Sequence, residues 1–356
     1  MTLTWWLIAA EAVALLVVAP QLWRSARGGR RLQPQSVSSV PTISVVIPAR
    51  NEAERIAECL RPLHGADGVL EVIVVDDEST DHTAQVARDL GARVIRGETL
   101  PEGWVGKIWA LQQGIAAANG EVVVTLDADA RPDGSLPRAA AEALGSSGVA
   151  LATVATRFRT TSALGQWLHA AMLTSLVYRH GAGSQHATPN AVANGQCMVF
   201  RRDDALQGGW CERVRGSTIE DVALVRCLVA DGAKVEMFDG SHLLAVEMFD
   251  GFVDTWRGWG RSIALGGVDQ PTQQVLGLAT TALTLVAPIW LFALGVATPL
   301  TGVLLLVRLG TLFGARRAYE TPGFGYWLSP LADALAWLVV LRGTVAPSRE
   351  WRGRKY

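Results

Sequence analysis

The chain has long apolar stretches at both ends and short apolar runs in its middle. From Leu3 to Trp23 nearly every residue is apolar, and the main polar interruptions are Glu11 and Gln21. About 20 apolar residues suffice to cross a bilayer as a helix, so this stretch predicts a membrane anchor. Its first ten residues contain no Lys or Arg, and the basic cluster Arg24–Arg31 follows the run instead. This order favours an uncleaved anchor over a signal peptide and places the following residues in the cytoplasm.

A second apolar block extends from Gln274 to Phe313 and is broken near residues 297–302. This pattern predicts two membrane spans joined by a tight turn. A third stretch, Phe324–Leu341, is shorter and contains Pro330 and Asp333. If it crosses the membrane, the basic C-terminal tail lies outside. If it is re-entrant or interfacial, the tail stays inside, and the pattern leaves both open.

Between these ends, short β-branched runs alternate with helical stretches. The runs are 43–47, 71–75, 93–95 and 121–126. Continuous Val/Ile runs separated by helices are typical of buried parallel strands in βαβ units, so the pattern predicts an α/β fold. Ligands in such open sheets bind beyond the carboxyl ends of the strands. The polar clusters Pro48–Glu52, Asp76–Asp77 and Asp127–Asp129 follow three of the runs, so we expect them to meet in one crevice.

One more apolar stretch, Leu164–Tyr178, has helical spacing but is too short to cross a bilayer. A core helix and an interfacial helix lying on the membrane are equally compatible with it.

Composition and charge exclude several classes of protein and indicate how the chain is divided. The 356 residues are 49% apolar and 18% charged, which excludes a disordered or collagen-like chain. The net charge is only -1, but the charges are unevenly distributed along the chain. Residues 1–40 carry four basic residues and one acidic residue, and residues 271–356 carry eight basic and three acidic residues. The middle is therefore strongly acidic, which does not fit a nucleic-acid binder. We predict an anchor and basic linker over 1–40, a cytoplasmic domain over 41–270, and membrane or re-entrant helices with a basic tail over 271–356.

Sequence motifs disfavour several classes of enzyme and favour a site that binds a metal ion. The four cysteines have no C-x-x-C spacing, so reduced thiols are expected. There is no G-x-G-x-x-G after the first strand and no P-loop, which disfavours a dinucleotide dehydrogenase or an NTPase. Asp127-Ala128-Asp129 supplies the hard oxygen ligands that suit Mg²⁺ or Mn²⁺, ions that commonly bridge substrate phosphates. A D-x-D alone is a weak signal, but beside two other polar strand ends it predicts a metal-diphosphate site.

The motifs together resemble the nucleotide-sugar half of a family 2 glycosyltransferase. The matching runs are Val45–Glu52, Val74–Asp81 and Leu126–Asp129. Gly103–Ala110 is similar to a segment of carotenoid- and hopanoid-associated members. The runs Asn194–Arg202 and Ile219–Leu224 extend the resemblance to about residue 260, and the tail Trp351–Tyr356 is similar to tails of lipid-directed enzymes and ceramide glucosyltransferases.

The resemblance implies a GT-A fold, a nucleotide-diphospho-sugar transferase with a Rossmann-like mixed sheet, and an inverting transfer. It assigns Asp221 as general base with Glu220 beside it, and Asp127 and Asp129 to the donor and the metal, with Asp129 the nearer ligand. The residues that it assigns to the nucleotide sugar, besides Asp127, are Pro48, Ala49, Asn51, Glu52, and Asp77 or its neighbour Asp76. Lys107 is a further candidate, because a cationic point charge suits a phosphate or donor contact.

The chain departs from the family where many members carry Q-x-x-R-W. Here the region reads Asp254–Arg261, and Arg257 and Arg261 are rival candidates for the diphosphate contact. Two site assignments have plain structural alternatives. Asp221 could be a solvated acid at a helix start, where carboxylates are favoured anyway. Lys107 could be an ordinary surface lysine.

These observations predict a multi-pass membrane enzyme with a cytoplasmic catalytic domain that depends on Mg²⁺ or Mn²⁺. It would move a sugar from a UDP- or GDP-sugar to a membrane lipid of carotenoid, hopanoid or glycolipid type, with no nucleic-acid partner. The alternatives are a polyprenyl-phosphate sugar synthase and a non-catalytic nucleotide-sugar-binding membrane subunit.

Overall fold

A computed structural model describes residues 3–34, 41–160, 162–182, 185–186, 190–249, 251–346, 350–351 and 354–355. The chain divides into two compact units. The sheet unit comprises Gly29–Arg157, Ser184–Glu247 and Arg349–Tyr356. The helical unit comprises Met1–Gly28, Phe158–Gly183 and Met248–Ser348.

The strands are β1 Ile43–Ala49, β2 Val69–Asp76, β3 Arg93–Arg96, β4 Val122–Leu126, β5 Ala130–Pro132, β6 Leu151–Ala155, β7 Arg157–Arg159, β8 Gln185–His186, β9 Cys197–Arg201, β10 Val235–Asp239, β11 Leu244–Glu247, β12 Glu350–Trp351 and β13 Arg354–Lys355. The helices are α1 Leu3–Ala26, α2 Ile56–Leu60, α3 Thr83–Asp89, α4 Gly106–Ala117, α5 Leu136–Ser147, α6 Ala163–His180, α7 Arg202–Gln207, α8 Trp210–Arg213, α9 Glu220–Ala230, α10 Phe252–Gly258, α11 Pro271–Thr281, α12 Ala287–Ala293, α13 Pro299–Ala315, α14 Phe324–Trp327 and α15 Asp333–Val345.

The main sheet has the strand order β3-β2-β1-β4-β9-β6-β10-β8. β1 runs parallel to β2 and to β4, and β2 runs parallel to β3. β9 is antiparallel to both β4 and β6, which makes the sheet mixed. The α/β prediction and the four predicted strands are confirmed. All seven residues of β1 are buried, as its unbroken apolar run requires of a strand covered on both faces.

Parallel neighbours place the polar strand ends together. Because β2, β1 and β4 are adjacent and run in the same direction, the residues that follow them leave the sheet at one edge. Pro48 and Ala49 pair with Val75 and Asp76 at this edge. The topology therefore brings together three segments that are far apart in the sequence.

Among the described residues of the helical unit, three helices are long and apolar enough to cross a membrane: Thr4–Ala26, Pro271–Ala293 and Pro299–Ala318. The last two are separated by the turn that the sequence predicts. The helix predicted over Leu164–Tyr178 is α6, and it contributes Leu168, Ala171 and Met172 to the buried core of this unit. The core-helix interpretation of that stretch agrees with this burial.

Polar residues inside the apolar helices have partners. The buried carboxylate of Glu11 on α1 accepts hydrogen bonds from the hydroxyls of Thr298 and Thr301, at the start of α13. Arg308 on α13 donates to both carboxylate oxygens of Asp333, at 2.7 and 2.9 Å. Buried charges are costly unless they are paired, so these contacts fix which helices lie side by side.

The close packing of α4 on the sheet yields a stability prediction. A Cβ placed on Gly114 of α4 would lie 2.4 Å from Val46 Cγ1 and 3.0 Å from Val75 Cγ2, whereas a Cβ on Gly145 of α5 would meet nothing within 4 Å. We expect Gly114→Ala to destabilise the protein by about 1–3 kcal/mol through overpacking. Gly145→Ala should stabilise it by about 0.5–1 kcal/mol through helix propensity.

Thermal unfolding of both variants in detergent, followed by circular dichroism, checks this. A Gly114→Ala protein that unfolds at the wild-type temperature or above would contradict the packing of α4 against β1 and β2.

Candidate active site

The loops that follow β1 and β2 are joined by hydrogen bonds. The Asn51 N–H donates to Ser79 Oγ at 3.0 Å, and Asn51 Oδ1 accepts the Thr80 N–H at 2.8 Å. The Glu52 N–H donates to Thr83 Oγ1 at 2.8 Å. Asn51 has a φ of 53°, a left-handed conformation that asparagine tolerates better than most residues. The two loops therefore form one rigid wall at the edge of the sheet.

Glu52 and the two aspartates after β2 have different surroundings in this wall. Glu52 is buried, and its carbonyl accepts the N–H groups of Arg55 and Ile56 where α2 begins. Asp76 Oδ1 accepts the Ser79 N–H at 3.3 Å and so closes the turn. Asp77 is only 2% exposed, and its N–H donates to the carbonyl of Ala49 at 2.9 Å.

The Asp77 carboxylate is held by arginines. Arg50 Nη1 lies 3.6 Å from one carboxylate oxygen, and Arg354 Nη1 lies 3.2 Å from both. Burial raises the pKa of Asp77 above its ordinary value, while Arg354 and then Arg50 act against that rise. Asp77 is therefore the member of the aspartate pair whose carboxylate charge is buried and ion-paired.

A lysine connects the D-x-D turn to the candidate base. Lys107 Nζ, in the first turn of α4, lies 2.8 Å from Asp127 Oδ1 and 2.8 Å from Glu220 Oε1. Its side chain is 15% exposed. Burial alone would lower the pKa of Lys107, but the two carboxylates raise it above its ordinary value. An ordinary surface lysine does not have this geometry. We call these three side chains the lysine bridge.

Asp221 follows Glu220 at the start of α9 and is fixed by two backbone groups. The Gly195 N–H donates to Asp221 Oδ2 at 2.7 Å, and the Val222 N–H donates to Oδ1 at 2.8 Å. Burial, followed by the nearby charge of Glu220, raises the pKa of Asp221 to about 6, and Lys107 acts against this rise. Asp221 is therefore not a freely solvated acid at a helix start. Two backbone N–H groups orient its carboxylate, and its pKa of about 6 is close to neutral pH.

The segment Asn194-Gly195-Gln196 builds this corner of the site. Asn194 Nδ2 donates to the Val154 carbonyl at 2.7 Å, and the Gln196 carbonyl accepts the Asp127 N–H at 3.1 Å. A Cβ at position 195 would lie 2.9 Å from Asp221 Oδ2, so glycine is required for this approach. The sequence motif was recognisable, but Gly195 was not predicted as a site residue because its contribution is a backbone N–H.

The chemistry of Asp127 and Asp129 fits a divalent cation. Both side chains are half-buried, and the Ala130 N–H closes the turn on the Asp127 carbonyl at 3.0 Å. In the part of the chain that the structure describes, no three His, Cys, Asp or Glu side chains are grouped as a metal site. Mg²⁺ is usually bound by one or two carboxylates, several waters and substrate phosphates. A two-carboxylate turn therefore suits an ion that arrives with a diphosphate.

The two arginines predicted to contact the diphosphate belong to the helical unit. Arg257 is on α10 in the helical unit. Arg261 ends the 3₁₀ turn Trp259–Arg261 of the same unit, and its side chain lies outside the described residues. In the sheet unit, Trp104 and Trp109 pack edge to face with ring centroids 5.1 Å apart.

Comparisons with known proteins show which sequences and folds this chain is similar to. Residues 44–208 match the family model for glycosyl transferase family 2. A 4,4'-diaponeurosporenoate glycosyltransferase of Staphylococcus haemolyticus is 38% identical over 90 residues, which are 25% of this chain and 24% of that protein. One from Staphylococcus aureus is 27% identical over 238 residues, which are 63% of this chain and 61% of that protein. The matches thus span between a quarter and about three fifths of these relatives.

Among solved structures, the mannosyltransferase PcManGT from Pyrobaculum calidifontis, in complex with GDP-Man and Mn²⁺, is similar in fold. It is 19% identical, with a TM-score of 0.54, over 95% of this chain and 99% of that chain. The expected GT-A fold is confirmed by this likeness. The sequence match, the mixed sheet and the similar solved structure agree: residues 44–208 are similar to glycosyl transferase family 2, and the chain has a GT-A fold.

Proposed function

We propose that this protein transfers a sugar, with inversion, from a nucleotide-diphosphate donor to a hydroxyl or carboxyl group of a membrane lipid. The observation that carries the proposal is the arrangement around the lysine bridge. It places an oriented carboxylate with a pKa of about 6, Asp221, next to a cation that is bonded to the D-x-D turn. Inverting transfer needs a base on one side of the sugar and charge stabilisation of the diphosphate on the other.

Each residue of the site then has a role. Asp221 takes the proton of the acceptor, and the Gly195 N–H fixes the orientation of its carboxylate. Glu220 and Asp127 hold Lys107, whose ammonium supplies positive charge near the diphosphate. Asp129, with Asp127, would hold Mg²⁺ or Mn²⁺, which when bound neutralises charge on the leaving diphosphate.

We propose that the nucleoside binds against the wall formed by the loops that follow β1 and β2. Pro48 and Ala49 lie buried at the end of β1, and Asn51 and Glu52 follow them in the fixed turn. Asp77 supplies the buried carboxylate that can accept an N–H of the base or a ribose hydroxyl.

A lipid acceptor is supported by the helical unit and by the relatives. Among the described residues, three helices have the length and composition of membrane spans. Two curated relatives are named 4,4'-diaponeurosporenoate glycosyltransferases, after a carotenoid-related carboxylate. An acceptor of this class dissolves in the bilayer, so an enzyme with membrane helices in the same chain meets it there. We therefore propose a carotenoid-type acid or alcohol as acceptor.

The proposed location is a multi-pass membrane protein whose sheet unit is cytoplasmic. The basic cluster after α1 supports this orientation. Arg354, which follows α15, bonds to Asp77 of the sheet unit, so both residues must lie on the same side of the membrane. The chain between the sheet unit and Arg354 therefore crosses the membrane an even number of times. Pro271–Ala293 and Pro299–Ala318 supply two of these crossings. α15 has 13 residues, about 20 Å, which is short for a ~30 Å hydrocarbon core, so we propose that it does not cross.

Asp221 gives a test of the chemistry. We expect membranes or purified enzyme with Mn²⁺ to transfer label from a UDP- or GDP-sugar to a carotenoid acid. kcat/KM should rise about tenfold per pH unit below pH 6 and level off above it, because only ionised Asp221 can accept a proton. Asp221→Asn should lose at least about 100-fold of the rate.

Asp231→Asn is the matched control, since this exposed acid ends the same helix and pairs with Arg213. It should transfer at the wild-type rate. Thermal unfolding of Asp221→Asn checks that it is folded. Transfer that is unaffected by Asp221→Asn, or label that appears only on added polyprenyl phosphate, would count against the proposal.

The topology has its own prediction. In a bacterial host, alkaline phosphatase fused after Gly295, between the two C-terminal spans, should be active because it lies outside the cytoplasm. The same reporter fused after Tyr356 should be inactive, while green fluorescent protein fused there should fluoresce. An active phosphatase at the C-terminus would show an odd number of crossings and would contradict the proposed location of the tail.

A further inference from the structure

The C-terminal tail reaches the proposed nucleoside site. β12 and β13 pair antiparallel, with Trp351 opposite Arg354, and belong to the sheet unit. Arg354 Nη1 lies 3.2 Å from both oxygens of the Asp77 carboxylate, and its Nη2 bonds to the carboxylate of Glu78. The Arg354 side chain is 18% exposed. An arginine 277 residues along the chain from Asp77 thus contacts the carboxylate assigned to the donor.

Asp77 needs such a partner. Its side chain is 3% exposed, and a buried charge is costly unless it is paired and hydrogen-bonded. Arg50 faces it too, but lies at 3.6 Å and donates its hydrogen bond to the Asp77 carbonyl instead. Glu78, the next residue, adds a like charge. Among the described residues, Arg354 is the one whose side chain donates a hydrogen bond to the Asp77 carboxylate.

We propose that Arg354 is a positioning residue for donor binding: it holds the Asp77 carboxylate charged and oriented so that it accepts a hydrogen bond from the nucleoside. This inference rests on the proposed function, because it assumes that Asp77 contacts the donor. The contact with Arg354 leaves lone pairs free, since two carboxylate oxygens offer about four acceptor positions. The contact with the tail therefore leaves acceptor positions of the Asp77 carboxylate available to the nucleoside.

Electrostatics supports the same role. Burial raises the pKa of Asp77, Arg354 and Arg50 lower it, and Glu78 raises it. Without Arg354 the carboxylate becomes protonated at a higher pH, and a protonated oxygen donates where the nucleoside needs an acceptor. Arginine keeps its charge throughout the working pH range, so Asp77 is the group of this pair that titrates.

The test measures binding of UDP and GDP, each with Mn²⁺, to the purified full-length protein by calorimetry. Arg354→Ala should raise the Kd of the preferred nucleotide about tenfold, within what a charge-assisted hydrogen bond contributes. Arg354→Lys should restore part of the affinity, because lysine keeps the charge but loses the bidentate geometry. The weakening of binding at acid pH should begin at a higher pH in Arg354→Ala than in the wild type.

Arg93→Ala is the matched control. Arg93 Nη1 lies 3.0 Å from Glu71 Oε2, an arginine–carboxylate pair on β3 and β2 at the opposite end of β2 from Asp77. Its nucleotide Kd should equal that of the wild type. In transfer assays, Arg354→Ala should raise the donor KM and leave kcat nearly unchanged.

A double-mutant cycle separates a role through Asp77 from a general effect of the tail. On an Asp77→Asn background, Arg354→Ala should change the Kd less than twofold, because the partner through which it acts is gone. Wild-type affinity in Arg354→Ala, or tighter binding as expected of a blocking tail, would overturn the inference while leaving the proposed function intact. A wild-type protein that binds neither nucleotide would overturn both.

Discussion

The site depends on one cation between two acids. Asp127 follows a central strand, Glu220 begins a helix almost a hundred residues later, and Lys107 Nζ lies 2.8 Å from each. Asp129 and Asp221 add two further carboxylates to the same two segments. Without a positive charge between them, these acids would repel one another. The lysine bridge allows the D-x-D turn, which we propose binds the diphosphate, to lie close to the candidate base.

Most of the fold follows from patterns that are local in the sequence. The Val/Ile runs predict β1 to β4. β1 and β4 are buried along their whole length, as strands covered on both faces are, whereas β2 and the edge strand β3 are only partly buried. Once the strands are parallel and adjacent, the polar clusters at their carboxyl ends must share an edge. The family resemblance then assigned to Asp221 a role that neither residue type nor spacing carries, whereas the charge of Lys107 made it a candidate for a phosphate contact. The structure adds the ion pair between Lys107 and Glu220, the residue before Asp221, which is a tertiary contact that the sequence does not reveal.

Other parts of the site could not be predicted, each for a physical reason. Asp76 and Asp77 are neighbours of identical chemistry, and only burial and the two arginines distinguish them. Gly195 acts through a backbone N–H, which no side-chain pattern signals. Arg354 acts across 277 residues of chain, as a member of a basic tail for which the sequence pattern left the side of the membrane open. In the helical unit, Glu11 and Asp333 were visible as polar interruptions, but their partners Thr298 and Arg308 were not.

We propose that Asp127, Asp129 and the wall around Asp77 together hold a nucleoside diphosphate and a divalent cation. Calorimetric titration of UDP and GDP, with and without Mn²⁺, tests this most directly in the wild type and in Asp129→Asn. Mn²⁺ should tighten binding of the preferred nucleotide at least about tenfold in the wild type, and by less than about twofold in Asp129→Asn, because the carboxylate that couples ion to diphosphate is lost. Equal tightening in both proteins, or no nucleotide binding in either, would contradict the claim.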